Sequence, residues 1–211
     1  MHKSTSHKLT GKRVFITCGP TWIPIDSVRV ISNISTGETG ILLANEARKL
    51  GAQVTVALGP VSACCPDKGL SIIPYRFFDE LRRIIRVQLR AKRFDVILHC
   101  AAVSDFKPAR RVKGKIGSCA SITLRLVPLP KLIKDIRVLA PRATVVMFKL
   151  EAGVNDRVLI QRAMRAQKKA KADVVVANRL EPYRAFIIDK NGCRVAARNK
   201  NDLARKLLGL L

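Results

Sequence analysis

Arg13-Val-Phe-Ile-Thr-Cys18-Gly19-Pro-Thr21-Trp-Ile-Pro-Ile-Asp26-Ser-Val-Arg29-Val-Ile-Ser-Asn33-Ile-Ser35-Thr36-Gly37-Glu-Thr-Gly40 reads as a strand, a long polar loop and the start of a helix. The first six residues are apolar enough for an interior strand, and Gly and Pro break the pattern at once. Helical spacing then begins at Ile41-Leu-Leu-Ala44. The same rhythm recurs along the chain. Strands are predicted at Arg13 to Cys18, Gln53 to Leu58, Asp95 to Cys100, Thr144 to Phe148 and Asp173 to Ala177, with helices near 38–50, 77–92, 130–138, 156–171 and 201–210. Short β-branched runs alternating with longer helices imply an α/β fold, Rossmann-like, with a mainly parallel sheet and helices on both faces.

Two segments depart from that alternation. Between Ala101 and Pro130 a basic loop precedes Ile122-Thr-Leu-Arg-Leu-Val127, whose alternating polarity predicts a half-exposed strand; 106–128 is read as a flap or dimer-forming excursion. Near the end, Phe186-Ile-Ile-Asp189, Asn191-Gly192 and Cys193-Arg-Val195 predict a hairpin, since Asn-Gly tolerates positive φ. A chain of 211 residues, 48% hydrophobic, is treated as a single domain over 1–211 with residues 1–11 flexible.

Composition narrows the function. No run approaches the length of a membrane helix, and Met1 to Lys8 lacks the apolar core of a secretion signal, so a cytoplasmic protein is expected. Six cysteines without a Cys-x-x-Cys pair, and histidines at 2, 7 and 99, give no metal-ligand spacing; free, mostly buried thiols are expected. Forty Lys plus Arg against 15 Asp plus Glu leave +25, which favours anionic partners. Aromatics make up only 5%, few for the stacking platform of a single-strand binder, so nucleic-acid binding is expected to be non-specific. Gly-x-Gly-x-x-Gly after the first strand, a phosphate loop ending in Lys-Ser/Thr, and a Tyr-x-x-x-Lys pair are all missing. The competing classes are an NADPH-binding reductase and a basic nucleic-acid-binding protein.

Loops at the carboxyl ends of parallel strands bind ligands in open α/β sheets. Ser35, Thr36 and Gly37 stand where amides of a helix N-terminus receive a phosphate, or where Ser and Thr simply cap the helix. At this point the chain resembles a known family. Gly19-Pro-Thr21, Ile25-Asp26-x-Val-Arg29-x-Ile-Ser-Asn33-x-Ser35-Thr36-Gly37, Ala101-Ala-Val-Ser-Asp105-Phe, Lys115-Ile116, Phe148-Lys-Leu-Glu151 and Val176-Ala-Asn178 are similar, in order and approximate spacing, to the phosphopantothenoylcysteine synthetase family.

The resemblance implies a ligase that joins 4'-phosphopantothenate to L-cysteine using CTP or ATP, through an acyl-nucleotidyl intermediate and with release of pyrophosphate, in coenzyme A biosynthesis. It implies Mg2+ carried with the triphosphate, near Asp105, no metal held by His or Cys, a homodimer, and a separate phosphopantothenoylcysteine decarboxylase, with no flavin in this chain. By the family's pattern Asn33 holds the acyl intermediate with Arg29 beside it; the other readings are a loop amide bonding its own backbone and a surface charge. The backbone of Ala101 and Ala102 lies against the nucleotide, Asp105 serves the ribose or metal unless it is only a turn residue, and Lys115 reaches the triphosphate. Gly19, Thr21, Ser35, Thr36 and Gly37 line the phosphates. Pro130 and Phe148 fall around base and ribose, although Phe148 also suits a core position, and Arg162 and Lys169 are carried over as phosphate-facing. Pro20 replaces a glycine common in bacterial members, removing one amide donor, and Gly117 stands where they place a lysine.

Overall fold

In the computed structural model, residues 8–61, 67–119 and 121–211 are described. The elements in chain order are β1 (Arg13–Cys18), β2 (Trp22–Pro24), β3 (Val30–Ser32), α1 (Glu38–Lys49), β4 (Gln53–Leu58), β5 (Ser71–Pro74), α2 (Phe78–Ala91), β6 (Val96–His99), β7 (Phe106–Pro108), β8 (Leu126–Pro128), α3 (Leu132–Leu139), β9 (Thr144–Leu150), α4 (Asp156–Ala170), β10 (Val174–Arg179), β11 (Arg184–Asp189), β12 (Arg194–Ala197) and α5 (Lys200–Leu210).

Eight strands form one sheet in the order β12-β11-β10-β9-β6-β1-β4-β5. From β5 to β10 every neighbouring pair is parallel, and β11 and β12 close one edge as an antiparallel hairpin. Alternation along β1 explains the layers: Val14, Ile16 and Cys18 face a core shared with α1 and α5, while Phe15 faces the opposite core, built with α2, α3 and α4. Both faces are therefore covered, which is why the central strands read as continuous apolar runs.

The helix starts have separate causes. Asn155 and Asn199 cap α4 and α5 by accepting from the amides of Val158 (3.0 Å) and Asp202 (2.8 Å). The Glu80 carboxylate takes the amides of Arg76 (2.7 Å) and Phe77 (3.1 Å) ahead of α2. At α1 the N-cap is Gly37 itself, at φ 74° with no side-chain cap. A Cβ there would stand 2.4 Å from Val61 Cγ1 and 3.2 Å from Cys18 Sγ, so glycine is required by both dihedral and space.

Three expectations need correction. Leu9, placed in a flexible leader, is buried at 1% exposure, and its amide bonds Leu50 O at 3.0 Å; it is apolar and plugs the core beside α1. The predicted strand at Ile122 to Val127 shrinks to Leu126–Pro128, paired with Phe106–Pro108, because past the Ala109 amide on Arg125 O (2.8 Å) the partner segment turns away and bonds the loop after β1 instead, Val112 N to Ile25 O at 3.2 Å. Of the cysteines, Cys18 is buried and Cys100 partly so, but Cys119 and Cys193 are exposed on loops; Cys64 and Cys65 lie outside the described residues. The edge strand β5 and the small β2–β3 pair were not predicted at all. The Asn191-Gly192 hairpin does form, with Gly192 at φ 83° and the Asp189 carboxylate taking the amides of Asn191 (2.9 Å) and Cys193 (2.8 Å). Among the described residues no helix is long and apolar enough to cross a membrane.

Candidate active site

After β1 the chain moves to β4 on one side, and it later returns to β6 on the other. The crevice between the carboxyl ends of β1 and β6 is thus the switch point at which open α/β sheets bind ligands. Here the two loops are stitched together. Pro20 and Ala102 form a parallel bridge, with the Ala102 amide on Gly19 O (3.0 Å) and the Thr21 amide on Ala102 O (3.4 Å). Beneath them the Tyr75 hydroxyl, carried in by β5, lies 2.9 Å from Cys18 O and 3.0 Å from Gly19 O.

Asn33 belongs to this crevice. Its Nδ2 donates to Ala102 O (3.3 Å) and Val103 O (3.1 Å), tying the long loop after β1 to the loop after β6 while the side chain stays exposed. Thr21, expected beside the phosphates, is instead enclosed: it is fully buried, and its hydroxyl takes the Ser104 amide at 2.9 Å. It props up the site wall. Ser35 and Thr36 accept from the amides of Gly37 and Glu38 at 3.4 Å each. These are long bonds, weaker than a proper cap, at the mouth of α1.

Arg29 turns onto the protein, its Nη1 2.7 Å from Asp26 Oδ2 and 3.1 Å from Ile116 O. Lys115 lies in that adjoining segment and is exposed. Asp105 is exposed at the end of its loop and paired with Lys131, next to exposed Pro130. Phe148 on β9 packs against the core beside α1 and α5, the position of a core aromatic with one part accessible. At the end of β9, Glu151 is held between Lys149 (2.9 Å) and Arg162 (2.6 Å). Burial alone would raise its pKa, but the two cations outweigh that and hold it low. Arg162 thus sits at the carboxyl end of β9, whereas Lys169 lies seven residues farther along α4, about 10 Å toward the opposite end of the sheet. Lys169 is not gathered with the others, because a crossover helix runs antiparallel to its strands. Among the described residues no group of three or more His, Cys, Asp or Glu is placed to hold a metal.

Sequence reasoning missed Ser104, Tyr75 and His99. His99 Nδ1 lies 2.8 Å from Thr17 Oγ1, which also takes the Ala101 amide at 3.3 Å. Burial lowers the His99 pKa from 6.5 to about 4. The ring is therefore neutral near pH 7 and shares a hydrogen bond with the Thr17 hydroxyl. Its folded pKa is below the unfolded one, so the stability it confers is complete above about pH 6.5 and is lost as pH falls toward 4, a loss of about 3 kcal/mol. Urea unfolding at pH 7 and pH 4.5 should show that slope in the native protein and a flatter one in His99→Gln; equal slopes would count against it.

Fold and crevice together define a doubly wound α/β domain with an open switch point after its first strand. Residues 9–208 match the family described as DNA/pantothenate metabolism flavoprotein C-terminal domain, and the chain belongs to that family. The coenzyme A biosynthesis bifunctional protein CoaBC of Thermococcus kodakarensis is 36% identical over 199 residues, covering 94% of this chain and 47% of its own. The chain spans about half the length of the curated relatives it matches. The crystal structure of the DNA/pantothenate metabolism flavoprotein from Streptococcus pneumoniae has a TM-score of 0.85 at 25% identity, covering 95% of this chain and 98% of that one. A Cab2 mutant in complex with phosphopantothenate-cysteine shares the fold, with a TM-score of 0.76 at 18% identity over 94% of this chain and 86% of that one.

Proposed function

We propose that the protein is a phosphopantothenate-cysteine ligase. The observation that carries the reading is Asn33 bonded to the carbonyls of Ala102 and Val103 at the switch point, with the Lys115 segment docked on the same long loop. The loop after β1 is thereby bonded to two parts of the segment after β6, which supports the reading. Membership of the family, and the relatives named for coenzyme A biosynthesis, support the same activity.

In the first step a carboxylate oxygen of 4'-phosphopantothenate attacks the α-phosphorus of the nucleotide. The bond to the β-phosphate breaks, giving the acyl-nucleotidyl anhydride and pyrophosphate. In the second, the amine of L-cysteine attacks the acyl carbon, expels the nucleoside monophosphate and loses a proton to solvent. Such chemistry rests on positioning and on charge compensation rather than on a nucleophilic side chain. Ala101 and Ala102 let backbone approach the nucleotide, and the Gly37 and Glu38 amides exchange their long hydroxyl bonds for a phosphate oxygen. Gly19, Pro130, Phe148, Asp105 and Arg162 border the nucleotide. Asp105 is the carboxylate that would hold an Mg2+ carried with CTP or ATP, which would there compensate phosphate charge.

The exposed apolar side chains of the β7–β8 ribbon, Phe106 and Leu126, support a homodimer built through that excursion. The decarboxylase step is assigned to a separate protein or chain segment. The test is mass-spectrometric detection of phosphopantothenoylcysteine and nucleoside monophosphate after incubation with phosphopantothenate, cysteine, Mg2+ and each nucleotide. Product with at least one nucleotide is expected; no product with either overturns the reading.

A further inference from the structure

One buried carboxylate joins the acyl-site loop to the Lys115 segment, and the reaction scheme leaves it without a role. Asp26 is 2% exposed, with both oxygens occupied. Oδ1 accepts from the amides of Val28 (2.8 Å) and Arg29 (2.6 Å); Oδ2 accepts from the Arg29 guanidinium (2.7 Å) and, across the loop, from the Ile116 amide (3.1 Å). Arg29 Nη1 closes the ring by donating to Ile116 O at 3.1 Å. Two backbone bonds extend the contact, Ser27 N to Gly114 O (3.0 Å) and Val112 N to Ile25 O (3.2 Å). Gly114 and Ile116, the residues on either side of Lys115, are thus each bonded to the stretch that leads into Asn33.

This arrangement works against the segment's own charge. Arg110, Arg111, Lys113 and Lys115 fall within six positions and repel one another, which favours an open, solvated loop. The Ile116 amide, the Val28 amide and the Arg29 groups hold the Asp26 carboxyl well below the usual range despite its burial, so it stays ionised across the working range of pH.

We infer that Asp26 is a positioning residue: with Arg29 it forms a clasp that fastens 112–116 to the Asn33 loop and so sets where Lys115 stands. Arg29 then acts through Lys115 rather than by gripping substrate. The activity arm of this inference rests on the ligase reading, and the structural arm does not. Both halves of the clasp need a carboxylate. In Asp26→Asn the amide oxygen can keep one pair of donors, but the NH2 then faces the other pair, donor against donor.

The experiment combines amide hydrogen exchange with pyrophosphate release. In Asp26→Asn, exchange across 112–116 is expected to rise at least about tenfold while β1 and β6 keep native protection. Arg29→Met, which leaves the Asp26 amide bonds in place, should raise it less and serves if Asp26→Asn does not fold. Pyrophosphate release by Asp26→Asn should fall about tenfold in kcat with KM for phosphopantothenate little changed, and this loss should vanish in the Lys115→Gln background. Native exchange in a folded Asp26→Asn, or losses that simply add in the double variant, would overturn the clasp. If the native protein releases no pyrophosphate with either nucleotide, the ligase reading fails, and the exchange result alone decides whether the clasp exists.

Discussion

Asn33→Asp is expected to slow product formation about a thousandfold while the protein remains folded. The native side chain donates to the carbonyls of Ala102 and Val103 from an exposed position. A carboxylate cannot donate, and it brings a negative charge beside both carbonyl oxygens and the anionic acyl-nucleotide. Repulsion at about 4 Å in a partly dry crevice is worth about 4 kcal/mol, which far exceeds the loss of neutral hydrogen bonds at a surface. The fold should lose only about 1 kcal/mol, because no core contact is removed. Rapid-quench turnover with nucleotide binding measured in parallel separates the effects: near-native affinity with slow product is expected. Native turnover with cysteine by a folded Asn33→Asp would remove this loop from the acyl site.

Lys115→Gln is expected to act on the other half-reaction, lowering pyrophosphate release about a hundredfold. Lys115 is exposed, so the change costs the fold little. On the proposed reading it removes a compact positive charge opposite the departing pyrophosphate, where negative charge grows in the transition state. Chemically prepared acyl-nucleotide mixed with cysteine should still be converted to product near the native rate, because the second step expels no pyrophosphate. Slowing of that step to the same degree would assign Lys115 a general structural role instead.

The difference between the two variants shows what the sequence made legible. The parallel strands were readable because both faces are covered, which leaves runs such as Val96-Ile-Leu98 with no polar interruption. The crevice was readable because Gly19-Pro20 and Ala101-Ala102 follow two such runs directly. The edge strand β5 was not, since Ser71-Ile-Ile-Pro74 is four residues long and partly exposed. Nor was the β2–β3 pair, whose entry depends on the Trp22 amide bonding Arg76 O at 2.8 Å, a contact set by tertiary packing alone. Thr21 and Asp26 were visible as residues but not as partners: Ser104 lies 83 positions away from one and Ile116 lies 90 from the other. Lys169 is a different case. Periodicity places a residue on a face, whereas only the direction of the crossover helix says which end of the sheet it reaches, and Lys169 is in the last turn of α4.

The central claim is that the switch-point crevice activates a carboxylate at a nucleotide before any amine is needed. Pyrophosphate release measured with purified protein, Mg2+ and CTP or ATP, with phosphopantothenate and cysteine added singly and together, tests it directly. The expected result is a burst of about one pyrophosphate per site with phosphopantothenate alone, followed by continuous turnover once cysteine is added. Release that requires cysteine from the outset, or that occurs without phosphopantothenate, would contradict it.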